Sequence, residues 1–438
     1  MANKILFRVA IFFFSVSLVW AQSVPFQTLK LNNIRFADQF PGATADAKIV
    51  NCMADLPAAG GVCDASGIQG TQTISGQITI SKPVKLLLGA VTLSYGSVNA
   101  PFLITSNGVA IIGLGRGITT ITTNQLYKVA IQGGTSPTPS PPSDVTIKGI
   151  TFAGPSPASW DTRGTVGINL AGVSRWHIED NEFTGWSHTA IGLADASTGG
   201  ADVDCNHNLI AHNSIHDNPG EGITVYTWNA AAALNGYNII SGNQIWNNGL
   251  SGVDINTQFN TVIGNTISGN GTQSKDGDSS SLQITGSLAN YNIIEGNQIN
   301  AGNQWGITVT GSNNLITGNE ITGATGAIGK GWGTGLQIGH DGTGWIANNN
   351  VVSHNIIAKN AGYGILVAAG RGASTDANII EGNQVFGNLW GGIYIAPGGV
   401  TNTSLMGNYV LNNKSFQIGD SGINTLSVSN RTSAASNP

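Results

Sequence analysis

The sequence predicts an all-β chain wound as a single-stranded right-handed parallel β-helix, a solenoid with a short N-terminal capping helix. Three observations carry this prediction. A phrase returns along the chain as Gly242-Asn243-Gln244-Ile245, Gly264-Asn265-Thr266-Ile267, Gly296-Asn297-Gln298-Ile299 and Gly318-Asn319-Glu320-Ile321, with looser copies around Asn181, Asn213, Asn355, Asn383 and Asn408. The shortest spacing between copies is 22 residues, from Asn243 to Asn265 and again from Asn297 to Asn319, so wider gaps read as one rung plus an insertion. Between the phrases lie runs of three to five residues that alternate apolar and polar, the period of a strand with one buried face. Gly and Asn break these runs too often for long helices, and a Leu-based repeat is absent. Strands this short bury their apolar side when each stacks in parallel on its equivalent one rung away, with Ile and Val filling the coil.

The elements follow in order. Residues 1–21 read as a secretory signal: Lys4 and Arg8, an apolar run over 11–19, and a cleavage site after Ala21. Residues 22–67 form a lead and a cap. Apolar positions at Ala45, Ile49, Met53 and Leu56 have helical spacing, Thr44 or Asp46 can cap the start, and Pro57 stops the helix. Cys52 and Cys63 flank this stop; in an exported chain they are placed either to form a disulfide or to stay reduced, and Cys205 is then a buried small hydrophobe. Residues 68–428 make the coil, irregular at first. The Pro- and Ser-rich segment 135–143 is a loop leaving a rung, and 429–438 is a polar, disordered tail.

Composition narrows the function classes. Only 9% of the 438 residues are charged, and without Lys4 and Arg8 there are 16 basic against 23 acidic residues. Nothing basic enough for nucleic acid is present. After the signal no segment is apolar enough to span a bilayer, so the expected location is secreted or periplasmic. The phrase Asn residues read as scaffold: a sharp turn favours Gly and Asn, and Asn repeated on each rung can bond to the Asn above it.

The repeats resemble those of the pectate-lyase-like β-helix superfamily and of periplasmic β-helix repeat proteins, over roughly residues 30–428. The resemblance implies the fold, an end-plugging helix and polysaccharide or another glycan as partner. It does not select an activity, since that superfamily includes lyases, hydrolases, epimerases and proteins without known catalysis. The Asn-Thr-Asp, Asp-Asp and Gly-His-Gly elements of polygalacturonases have only Val253-Asp254-Ile255, Asp202-Val203-Asp204 and Gly339-His340-Asp341 as their nearest strings, and the Asp-Pro-His of alginate epimerases is missing.

Chemistry is therefore sought where the repeat is broken. Aligning the strand after each Gly stacks Gly192, Thr224, Asp254, Gln283, Thr308, Gln337, Leu366, Tyr394 and Gln417 outward; Asp254 is the only acid, with Tyr226 and Asn256 beside it. A solvated surface acid is the plain reading of Asp254. The catalytic reading pairs it with Glu221, one rung earlier, as the two carboxyls of a glycoside hydrolase. A lyase would instead need a base, from His188, Lys275 or Arg371, and calcium as cofactor, with Asp276 and Asp278 as oxygen ligands; a simple polar turn explains those two Asp equally. Insertions over 197–205, 228–236, 271–280 and 324–333 would wall the face. Trp305, Trp332, His340 and Arg371 are the remaining substrate-binding candidates, the Trp residues as stacking platforms or as packing. His207, His212 and His216 resemble a metal cluster, although His212 stands in the Gly slot of the phrase. The alternative to an enzyme is a non-catalytic surface or adhesion module.

Overall fold

A computed structural model describes residues 33–134, 141–161, 164–197, 202–227, 236–273, 280–326, 333–339, 346–370 and 373–433. The signal segment 1–21 lies outside them. The rung at 237–255 shows how the sequence builds the coil. Tyr237, Gly242 and Asn247 each adopt a left-handed conformation, with φ of 60°, 61° and 55°. Each is followed by a buried Asn (Asn238, Asn243 and Asn248). After the first two Asn comes a three-residue strand, Ile239–Ser241 and Gln244–Trp246; a third strand, Val253–Ile255, completes the rung. A left-handed residue turns the chain sharply at one position, which Gly and Asn tolerate best.

Each rung repeats this order, so that among the described residues three parallel sheets of 15, 14 and 13 strands run along the coil. They are called the first, second and third sheets, in the order a rung visits them. Register is strict: Ile240 pairs with Val262, Ile245 with Ile267 and Ile255 with Ile284, all wholly buried. A one-residue slip would turn this core outward.

The Asn residues form three ladders, of which the phrase marks one. Asn213 donates its side-chain amide to Asn243 Oδ1 (3.0 Å), Asn243 to Asn265 (2.9 Å), and so on to Asn430. A second ladder runs from Asn208 to Asn378 and a third includes Asn218, Asn248 and Asn270, then Asn360, Asn388 and Asn413. Each Oδ1 also accepts the backbone N–H of the preceding ladder Asn, as Asn243 Oδ1 does from Asn213. Buried turn amides are thereby satisfied where no water reaches.

The helix Ala45–Ala54 closes the start of the coil, with Thr44 accepting a hydrogen bond from the Ala47 N–H and with Ile49, Cys52 and Met53 turned inward. Cys52 and Cys63 are disulfide-bonded, their Cα atoms 6.0 Å apart, and Cys205 is free and buried. At the other end, Arg431 and Thr432, inside the segment expected as tail, pair with Tyr409 and Val410. No helix among the described residues is long and apolar enough to cross a membrane.

One alignment is corrected. The outward position of the last rung belongs to Gly419, which pairs with Tyr394, and not to Gln417. Gln417 turns inward, where its Oε1 accepts from the backbone N–H (3.1 Å) and side-chain amide (3.0 Å) of Asn413. It takes the place of the next Asn and ends the third ladder.

Candidate functional site

The third sheet holds the site. Its outward column runs Gly192, Thr224, Asp254, Gln283, Thr308, Gln337, Leu366 and Tyr394 by direct pairing. Val253 and Ile255 fill the core on either side of Asp254, which must therefore point out. Glu221 reaches the same face by a different route. In the strand Glu221–Tyr226, Ile223 and Val225 are buried in the core, and Gly222 faces the next rung so closely that a Cβ would stand 2.4 Å from the Gly252 carbonyl oxygen. Two successive inward positions, possible only with Gly at the first, leave Glu221 and Thr224 outward together.

The two acids flank Thr224, one through its hydroxyl and one as its strand neighbour. Thr224 donates to Glu221 Oε2 at 2.7 Å and lies 3.0 Å from the Thr189 hydroxyl. Thr224 is also the strand neighbour of Asp254. Asp254 Oδ1 accepts from Asn256 (3.3 Å) and Thr285 (3.2 Å), and Asn256 is itself held by a 2.6 Å bond to the Thr285 hydroxyl. The plain expectation of a solvated Asp254 is corrected: the residue is 8% exposed.

Burial sets the electrostatics. It raises the proton affinity of Glu221 well above the ordinary carboxylate range, the Asp254 charge adds to this, and the Thr224 bond offsets part of it. Burial also raises Asp254, but less, because Gln283, Thr285 and Asn256 all stabilise its ionised form. The two carboxyls therefore titrate as a pair, with Glu221 raised further than Asp254. Tyr226 lies alongside; burial, then the charges of Asp195 and Glu221, push its hydroxyl up to about 12, so it stays a donor. His188 supplies the carbonyl that accepts the Glu221 N–H (2.8 Å), and burial lowers its imidazole, against the opposing pull of Asp161.

Glu221, Asp254, Tyr226 and Asn256 are therefore brought together, and His188 joins them through its backbone carbonyl. Lys275, Asp276, Asp278, Trp332, His340 and Arg371 lie outside the described residues. Trp305 is 5% exposed, packed beside Ser280, and has no ring face to offer a sugar. The three His residues go to separate places: His207 in a turn stacks on Tyr237, His216 at the end of the strand Ser214–His216 stacks on Trp246, and His212 takes the left-handed slot of the phrase, as His354 does. Among the described residues no group of three His, Cys, Asp or Glu could hold a metal ion.

Sequence reasoning missed three residues here. Asp195, 3% exposed, follows a strand and accepts from Thr227 at 3.1 Å. Thr285 fixes Asp254 by donating to its Oδ1 and accepting from Asn256. Trp160, 40% exposed, rides on segment 154–161, which is tied to Gln273 and Ser187. Its backbone N–H donates to Gln273 Oε1 (3.1 Å), Gln273 donates to Ala158 O (3.2 Å), and Asp161 N–H donates to Ser187 O. The available signal was an aromatic residue in a Pro-rich break of the repeat.

Comparison with known proteins agrees with the architecture. A family model described as "Right handed beta helix region" matches residues 92–236, 141–291, 228–376 and 275–437, which overlap to cover most of the chain. No curated protein matches the chain in sequence. Among solved structures, the A-module of mannuronan C-5 epimerase AlgE4 from Azotobacter vinelandii is 17% identical, with a TM-score of 0.59, over 92% of this chain and 100% of that one. The catalytic unit of a GH87 α-1,3-glucanase from Streptomyces thermodiastaticus is 14% identical, with a TM-score of 0.60, over 92% of this chain and 70% of that one. The tailspike protein of E. coli bacteriophage HK620, solved with a pentasaccharide, is 13% identical, with a TM-score of 0.56, over 80% and 68%. At these identities the likeness is one of fold.

Proposed function

The chain belongs to the right-handed β-helix family, and on that scaffold we propose that it is an exported glycoside hydrolase acting on polysaccharide, with Glu221 as general acid and Asp254 as its partner carboxylate. The observation that carries this is half-buried Glu221 set beside buried Asp254 on one face, with surroundings that push the two proton affinities apart. Glu221 would protonate the glycosidic oxygen as the bond to the anomeric carbon breaks. Asp254 would meet the oxocarbenium-like centre, either by attacking it or by deprotonating a water, and the stereochemistry of the product tells these apart. Asn256 and Thr285 orient Asp254. Tyr226 offers a hydroxyl to the bound sugar. The structural neighbours named above include proteins whose titles concern alginate units, α-1,3-glucan and a pentasaccharide, which supports a glycan as the substrate class. The Cys52–Cys63 disulfide supports an oxidising destination, in keeping with the signal read in residues 1–21.

The test is release of reducing ends from a panel containing alginate and α-1,3-glucan, with ultraviolet detection of unsaturated ends. Wild type should release saturated products, and Glu221→Gln should lower turnover by about 10²- to 10⁴-fold. Unsaturated ends would replace this reading with a lyase. Binding without any product would replace it with a binding module.

A further inference from the structure

The third sheet carries a second cluster that the acid pair does not use. Tyr363, Trp390, Tyr394 and Phe416 meet on its outer face. Tyr363 stacks on Tyr394 at 5.2 Å, meets Trp390 edge-on at 5.5 Å, and lies 6.0 Å from Phe416, which is 5.8 Å from Tyr394. Trp390 is 41% exposed, next to the still more exposed Leu389. The cluster is built into the repeat. Gly391 and Gly419 occupy positions where a Cβ would lie 2.5 Å and 2.8 Å from the Phe416 ring, so two missing side chains make its seat. Tyr394 belongs to the same outward column as Asp254, five strand steps along it, or about 24 Å at the spacing of hydrogen-bonded strands.

We infer that this cluster is a distal glycan-binding platform, holding a polysaccharide chain laid along the solenoid axis whose cleaved bond lies at Glu221 and Asp254. The inference rests on the hydrolase reading for the second half of that statement only. A sugar chain is the occupant favoured by the surface. The rings are amphipathic, two bear hydroxyls, and they are held rigid by one another and by the glycine seat, so that little order is lost on binding. The strands that carry them, Tyr363–Val367, Gly391–Ile395 and Phe416–Asp420, hold a single charge, Asp420 at the far end. That leaves little to recognise a charged peptide. Continuity with the acid pair along one column gives the chain its direction. An enzyme with such a platform grips its substrate well away from the bond it cuts, and so prefers long chains.

The test separates binding from turnover. Affinity electrophoresis of the Glu221→Gln chain through gels containing alginate or carboxymethyl α-1,3-glucan measures binding alone. Adding Trp390→Ala should weaken retardation about tenfold, and Trp390→Phe should restore most of it. In the chain with Glu221 intact, Trp390→Ala should raise KM for polymer about tenfold and leave kcat on a trisaccharide unchanged. Equal retardation of the Trp390→Ala chain overturns the platform even if hydrolysis is found. Weakened retardation with no hydrolysis of any polymer keeps the platform and removes the catalytic reading. A fall in sedimentation mass on Trp390→Ala would make the patch a contact between copies and overturn the proposal, as would a panel in which no polymer retards the chain.

Discussion

At the scale of single residues, the behaviour of the site follows from two carboxyls that burial pushes up unequally. The proposed hydrolysis requires Asp254 ionised and Glu221 protonated. The rate should therefore rise as pH passes about 6 and fall as it passes about 8, the two limbs belonging to the pair. The same groups oppose stability. Both bind a proton more tightly in the folded than in the unfolded chain, so their contribution is fully present below the ordinary carboxylate range and is lost as pH rises through the raised values. Glu221→Gln should accordingly be more stable than wild type at pH 9, by about 1–3 kcal/mol, with that advantage gone at pH 4; thermal melts across pH check it. Much of this was legible in advance. Asp254 stood out as the one acid in an aligned column, and Glu221 as the acid one rung before it. What the alignment could not provide was burial: an outward position on a strand reads as solvated. Asp195 was invisible for a related reason, since an acid just past a strand reads as a loop residue.

At the scale of the element, the unit is a left-handed residue followed by a buried Asn, and its two halves differ in how much they hold. Asn243 accepts from the N–H and side chain of Asn213 and donates to Ile210 O and Asn265 Oδ1. Asn243→Ala should cost about 2–5 kcal/mol, because it strands a buried donor and a buried acceptor that no water can reach. Gly264, at φ 64°, has open space where a Cβ would go, so Gly264→Ala meets only the backbone preference, about 1–2 kcal/mol. Denaturant titration of the two variants should rank them in that order. The sequence displayed one ladder because the Gly-Asn-x-Ile phrase repeats as a phrase. The other two were present at a spacing of five, as in Asn238, Asn243 and Asn248, but Tyr237, Phe259 and Tyr291 fill the left-handed slot before the second ladder. A reader looking for Gly passes over them. Those rings instead stack on one another at 5.1 and 5.2 Å.

At the scale of the whole molecule, stability is a sum over neighbouring rungs, and the ends are its weak points. The helix Ala45–Ala54 covers the first rung, and the Cys52–Cys63 bond ties that helix to the strand Gly61–Ala65. Reduction, or Cys52→Ser with Cys63→Ser, should cost about 2–3 kcal/mol. Hydrogen exchange should show the loss first in rungs at 61–95 and last in those at 239–357. The ladders add a property that no pairwise count of bonds describes. Along the phrase ladder every Asn from Asn181 to Asn408 donates one side-chain N–H forward to the next Asn, without one reversal, and the other back to a backbone carbonyl of the preceding rung. Their amide dipoles are aligned, so the solenoid is electrically polar along its axis, and each bond in the row polarises the next. In the Asn-to-Asn bonds its two ends are therefore unlike: a cut on the N-terminal side leaves the first Asn oxygens without the amides behind them, and a cut on the C-terminal side leaves the last Asn amides without the oxygens ahead. Gln417 shows what stopping such a row demands, an amide oxygen returned to the last donor from within the same rung.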